Sequence, residues 1–428
     1  MLQTLKNAWK IVDLRNKLLF TLLIVVLYRL GAVIPVPFID SAALSSLMSM
    51  ADGSIFQYLN IMSGDAFAKA TLFALSISPY ITSSIVMQLL TIAIPALEKL
   101  SKSGDEGRKK ITQITRYVTV GLGLITAYGY YTYMRAYNLL LDRGVFAAIV
   151  IISCYVAGTA LIMWLAEKIN ENGIGNGISI ILFANIVAGL PAGVGAVWSY
   201  LTSGTVIGVV IAVLTTVIAI AMVVFIVFMT NSERRIPIQY AKKVVGRKMY
   251  GGQSSTLPIK LNMTGVMPLI FANSIVALPA TIAQFANPDP DGFWGKLVSA
   301  LSYNSIIYAI IFFILIILFA YFYIAISFNP VEVANNLKKN GGFIPGIRPG
   351  KPTSDYITKI LNKITLIGAL FLSVIAVVPL LANIISGGYL NGIAFGGSSI
   401  IILVGVILET TREIEAQMTM RHYKGFLE

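Results

Sequence analysis

Ten stretches of this sequence, at approximately 18–35, 71–94, 114–134, 146–165, 178–200, 206–229, 264–286, 304–328, 364–386 and 393–411, are long and apolar enough to cross a bilayer. A hydrocarbon core of about 30 Å takes roughly 20 apolar residues in a helix. Backbone N–H and C=O groups find no water there, so the protein itself must satisfy them. The expectation is an all-α polytopic membrane protein with ten transmembrane helices. Composition agrees: 57% of residues are hydrophobic and 12% charged, against about 25% charged in soluble domains.

Several chemistries are excluded early. The single cysteine, Cys154, sits in an apolar run and reads as a packing residue. The single histidine, His422, lies among Arg421 and Lys424 near the C-terminus. One His and one Cys cannot build a zinc cluster, HExxH is absent, and so is the GxxxxGK[ST] loop of an ATPase. We therefore expect no enzyme, no metal and no cofactor. The first apolar run follows Lys17 without a cleavage site, so no removable signal is expected.

An even number of spans puts both termini on one face. That face comprises the N-terminus, 95–116, 166–177, 230–263, 329–363 and the C-terminal tail, and it carries 27 of the 32 Lys and Arg. The other face has only Lys69, Arg135, Arg143 and Lys296, and Arg29 lies within the first span. Positive residues stay inside, so both termini and the long basic loops are expected in the cytoplasm. Leu2, Leu5, Trp9 and Val12 share one stripe of a basic N-terminal segment. They predict an amphipathic helix on the inner surface, with anionic lipids as partners. A generic basic flank is the alternative.

Two cytoplasmic loops exceed what anchoring needs. Residues 231–263 alternate Arg234, Arg235, Ile236, Ile238 and Tyr240 as a hairpin strand would, with a turn at Val245–Gly246. Residues 329–363 interleave Pro, Gly, aromatic and basic residues. Both are expected to project as basic fingers. On the outer side, residues 54–70 are too apolar for a solvated loop and too polar to span. They predict a re-entrant segment leading into the second span. That span is broken by Pro79 and carries Ser76, Ser78, Thr82, Ser83, Ser84 and Gln88. So many polar groups suit a helix that lines a path or packs on other helices.

Helical spacing pairs Ile81 with Ile85, Ile178 with Leu182, and Ile270 with Ser274, while Ile402 follows Gly396–Gly397. Converging, these faces would make an aliphatic constriction that excludes ions by dewetting. Spacing alone fits ordinary membrane core better. No midplane Asp or Glu lies in any span, Glu409 sits at the cytoplasmic end of the tenth, and Arg29 reads as structural. This weakens a proton- or sodium-coupled secondary transporter, the alternative reading for a ten-span chain. A scaffolding receptor for ribosomes is a third.

Five motifs in order resemble the SecY family, the channel subunit of the bacterial protein-conducting translocon. They are PYITSSIVMQLL (79–90), GIGNGISIILFANIVAGLP (173–191), ERRIPIQYAKK with GGQSSTLPIKLNMTGVMPLIFANS (233–274), FNPVEVANNLKKNGGFIPGIRPG (328–350) and MRHYKGF (420–426). The likeness covers essentially the whole chain. It implies two five-helix halves, 1–200 and 201–428, related as an inverted repeat around a central pore with a re-entrant plug. It implies a pore ring of Ile81, Ile85, Ile178, Leu182, Ile270 and Ile402, with Ile186 as an alternative on the fifth helix. It implies a plug at Leu59, Asn60, Ile61, Met62, Ser63, Gly64 and Asp65, where Asp65 replaces a second glycine of many relatives. Gln88, Asn273 and Ser274 fall at a lateral gate between the second and third helices and the seventh and eighth. Arg234, Arg235, Lys242, Lys243, Arg247, Lys248 and Arg348 fall on docking surfaces for the ribosome and the SecA motor. The implied partners are SecE, SecG, SecA, the ribosome, signal peptides and nascent or secretory polypeptides, in the bacterial cytoplasmic membrane.

Overall fold

The computed structural model describes residues 2–424 apart from 51–59, 61–62, 203–204, 241–242, 246–247, 251–253, 287–291, 293–294, 297–299, 301–304 and 386–396. Helices dominate. In chain order they are α1 (Leu2–Lys10), α2 (Val12–Gly31), α3 (Ser41–Met50), α4 (Ser78–Ala93), α5 (Pro95–Lys102), α6 (Asp105–Ala136) and α7 (Val145–Asn172). They continue with α8 (Gly177–Thr202), α9 (Val206–Asn231), α10 (Met267–Ala286), α11 (Ile306–Ser327), α12 (Pro330–Lys339), α13 (Lys351–Ile385) and α14 (Gly397–Lys424). A helix occupies each of the ten expected segments. Among the described residues, five stretches are long and apolar enough to cross a membrane outright: Val145–Asn172, Gly177–Thr202, Gly208–Asn231, Ile306–Lys339 and Lys351–Ile385. The pair Ser78–Ala93 and Pro95–Lys102 passes together but is bent by 101°.

Local chemistry starts these helices where the sequence allows. Thr205 accepts from Gly208 N at 3.3 Å, and Ser305 accepts from Ile307 N at 3.2 Å. Asn329 caps α12 by accepting from Val331 N, and Pro330 takes the first position, where its missing N–H is no loss. Pro79 acts in the same way. The discontinuity expected at Pro79 is there, and it is the start of α4 rather than a break between two helical segments. Residues 71–77 are turns, and Thr71, Phe73, Ala74, Ser76 and Ile77 are all buried. Non-helical backbone survives at membrane depth only inside protein, and this segment obeys that rule.

Packing divides the molecule into layers. The largest core cluster joins α2, α4, α7, α8, α10, α11, α13 and α14 through residues such as Ile24, Ile81, Leu182, Ile270, Ile316, Ile375 and Ile402. A second joins Val36 and Leu44 to Phe67, Tyr130, Met134 and Tyr155, with Cys154 half-buried beside it. In contrast, α9 turns Val210, Leu214, Val217, Val224 and Phe228 outward. An apolar face of that kind is stable against lipid.

The two long loops are not separate fingers, contrary to expectation. Strands β1 (Glu233–Tyr240), β2 (Lys243–Val245), β3 (Lys248–Tyr250) and β4 (Ser254–Lys260) form in the first loop, and β5 (Gly342–Phe343) in the second. The sheet order is β4-β1-β5, all antiparallel, with Glu233 opposite Lys260 and Gln239 opposite Phe343. Ile236, Ile238 and Ile259 bury one face of it against Ile344, Ile357 and Leu361. Val245 pairs with Lys248, so β2 and β3 form a hairpin; Gly246, where a turn is expected, lies outside the described residues.

The N-terminal helix expected from the sequence forms, and it also packs within the chain. Its Ala8 is fully buried, with Leu14, Ile174 and Ile414 in the same cluster, while Trp9 and Val12 remain exposed. So α1 docks on α14 of this chain. The side chains of Leu2 and Leu5 are outside the described residues.

Candidate functional site

The buried coil before α4 is the centre of the site. Asn60 organises it: its Oδ1 accepts from Ala68 N, and its Nδ2 donates to Asp65 Oδ1, both at 2.9 Å. Ser63 Oγ donates to Asn60 O and accepts from Phe67 N, each at 3.0 Å. Gly64 and Asp65 adopt left-handed backbone, with φ of 61° and 69°, and an asparagine-closed loop permits that turn. Tyr130 reaches across from α6 and donates to Phe67 O at 2.6 Å. Leu59, Ile61 and Met62 lie outside the described residues.

The expected ring residues lie in or against one large core cluster. Ile81, Ile85, Leu182, Ile270 and Ile402 are at most 5% exposed and share one cluster with Ala66 of the coil; Ile178 packs on its margin. Ile186, the alternative on α8, belongs to the same cluster. The two faces with helical spacing, Ile81/Ile85 and Ile178/Leu182, therefore point inward.

At the expected gate, α10 packs against α4 and α6. Asn273 is buried, and its Nδ2 has no hydrogen-bond partner among the described residues. Ser274 is half-buried and donates to Ile270 O at 2.9 Å, a bond back into its own helix. Gln88 is half-buried on α4. Arg116 and Glu167 tie α6 to α7 by a 2.7 Å ion pair.

On the sheet, Arg234 and Arg235 are exposed, and Arg235 pairs with Glu233 at 2.7 Å. Arg348 is exposed in a turn whose Gly346 and Gly350 have positive φ, and its carbonyl accepts from Thr353 Oγ1 at 2.9 Å. Lys243 and Lys248 lie on β2 and β3, with side chains outside the described residues, as are Lys242 and Arg247 altogether. Next to the end of β4 is a cavity of about 320 Å³ lined in part by Asn176, Thr230, Lys260, Asn262, Glu409 and Arg412. Burial lowers the Lys260 ammonium below its usual pKa, and the Arg412 charge pushes the same way.

Sequence reading left one group outside the site that the structure brings into it. Arg29 donates to the Ala184 carbonyl on α8, and its two terminal nitrogens stand 2.9 Å from the point where a Cβ on Gly64 would lie. The signal was an arginine inside a span, which by itself asks for a polar partner at depth.

The family model for SecY matches residues 71–411. The chain belongs to the SecY family. It is 44% identical over 442 residues to the protein translocase subunit SecY of Streptomyces galbus, covering both chains entirely. It is 41% identical over 446 residues to that of Mycobacterium tuberculosis, again over the full length of both. Among solved structures it resembles one described as a protein conducting channel, with a TM-score of 0.68 and 18% identity over 94% of this chain and 92% of the other. A structure concerning the plug domain of SecY gives a TM-score of 0.67 at 19% identity with the same coverage. These likenesses establish the fold, a multi-pass helical membrane channel, and the family is one of channels rather than enzymes.

Proposed function

We propose that this chain is the pore-forming subunit of a protein translocase. It passes secretory polypeptides across the bacterial cytoplasmic membrane and releases hydrophobic segments sideways into lipid. The observation that carries the reading is the largely buried, non-helical stretch 64–77 running into the aliphatic cluster around Ile81, Ile85, Leu182, Ile270 and Ile402. A stopper beside a deformable apolar ring blocks ions yet yields to a chain. Full-length similarity to curated translocase subunits supports the same reading.

In this reading the halves 1–200 and 201–428 part like a clamshell, and α4 and α6 separate from α10 at a gate that includes Gln88, Asn273 and Ser274. An apolar signal peptide entering there favours the open state through its own burial. Each CH₂ contributes about 0.8 kcal/mol, enough to shift a gate held by a few kcal/mol. The exposed basic sheet and the Arg348 turn serve ribosomes and the SecA motor, which supplies the energy. SecE and SecG complete the complex, anionic lipids meet the inner surface, and both termini lie in the cytoplasm. Solved relatives include a Sec61 described in a ribosome–channel complex.

Reconstitution of this chain with SecE, SecG and SecA in vesicles is the test. A secretory precursor should become protected from external protease. Its continued digestion, with the chain correctly folded, would remove the channel reading.

A further inference from the structure

We propose that Arg29 is a positioning residue that pins the resting plug at Gly64 and Asp65. The inference rests on the stopper reading given above. The guanidinium has three neighbours from three parts of the chain. It donates to the Ala184 carbonyl on α8. It fills the space beside Gly64, where a Cβ would meet both Nη atoms at 2.9 Å and the Asn185 Cα at 3.1 Å. The Asp65 carboxylate acts on it electrostatically.

The neighbouring residues keep that guanidinium in place. Tyr28 is fully buried and stacks on Phe73 at 5.3 Å between centroids, with planes 6° apart. Its hydroxyl donates to Asn185 Oδ1 at 2.8 Å, and Asn185 Nδ2 donates to Ser76 Oγ at 3.2 Å. So α2, α8 and both ends of the coil, Gly64 and Ser76, meet at one polar knot. An arginine suits it because its planar fork can satisfy a carbonyl and still face the coil, whereas lysine is a point charge. Glycine at position 64 is required twice over, by its positive φ and by the closeness of Arg29. Asp65, the next residue, supplies the opposite charge.

When the plug leaves, the bond to Ala184 can persist while the close approach to Gly64 and the attraction of Asp65 are lost. Those two interactions therefore bias the closed state only, which is what a conformational pin must do.

The test measures resting ion conductance of the full-length chain with its SecE partner in planar bilayers. Deletion of 60–69 should raise conductance, and Arg29→Met should raise it toward the deletion level, with Asp65→Asn giving a smaller rise. Arg29→Lys should fall between wild type and Arg29→Met. The deciding variant combines Arg29→Met with the deletion. No conductance beyond the deletion alone is expected, since a pin without a plug has nothing to hold; a further rise would assign Arg29 to general packing and overturn the proposal. Wild-type conductance for Arg29→Met beside a leaking deletion would also overturn it and leave the stopper reading intact. A deletion that does not leak would remove the stopper itself, and the pin with it. Precursor protection in vesicles by each variant establishes that it has folded, and Asp65→Asn, which leaves the span unaltered, carries the test if Arg29→Met does not fold.

Discussion

Gly158 shows how a single missing Cβ positions the site. It sits on α7 directly against the backbone carbonyl of Leu72, so a side chain there would push the buried coil away from its helix. Gly158→Val should destabilise the chain by about 1–3 kcal/mol, the usual cost of overpacking, and lower its melting temperature in detergent. An unchanged melting temperature would mean that 71–77 shifts freely. The Ile81/Ile85 and Ile178/Leu182 pairs were legible in the sequence, because helical spacing alone puts each pair on one face and the structure buries those faces or packs them on the core. Pro79 was legible as a discontinuity and misread as a break, because proline is equally at home at the first turn of a helix. The knot around Arg29 was not legible. Its members Tyr28, Gly64, Ser76 and Asn185 are far apart in sequence, and each by itself reads as an ordinary membrane residue.

At the scale of elements, the two basic loops behave as one unit. Their alternation and turn residues announced strands in the first loop, but a two-residue strand such as Gly342–Phe343 leaves no periodic signal. Its pairing with Gln239 and Tyr240 is purely tertiary. Ile357 lies fully buried beneath the sheet, in a cluster drawn from both loops and the start of α13. Ile357→Ala should cost about 2–5 kcal/mol locally, and limited proteolysis should then cut 231–263 and 329–363 together. Cleavage of one loop alone would restore the picture of two independent fingers. Arg348 tests what the unit is for. Its side chain is exposed and its turn is held by Thr353 rather than by the guanidinium, so Arg348→Glu should leave the sheet folded. Motor-driven translocation should fall while membrane insertion persists; undiminished translocation would count against docking there.

Across the whole molecule, α2 connects two closures. Near its start it joins the terminal clasp: Leu14 packs with Ala8, Ile174 and Ile414, Lys17 donates to Gln417 at 3.1 Å, and Thr21 accepts from Ile174 N at 3.0 Å. Glu413 on α14 adds a 2.8 Å acceptor for Gly175 N. At its end α2 carries Tyr28 and Arg29, against the coil proposed as the plug. At about 1.5 Å per residue, Leu14 and Arg29 are roughly 22 Å apart along the axis. The clasp holds segments from the beginning and end of the chain together, while the knot holds only the coil, so the two should fail independently. Ile414→Asp would put a charge into a desolvated cluster and loosen the clasp, raising resting conductance by letting the ring widen. Energies of sites this far apart usually add. Ile414→Asp combined with deletion of 60–69 should therefore leak more than either change alone, whereas Arg29→Met with the same deletion should not. Equal conductance for the Ile414→Asp combination and the simple deletion would mean that the clasp acts only through the plug, and that α2 transmits one closure rather than carrying two.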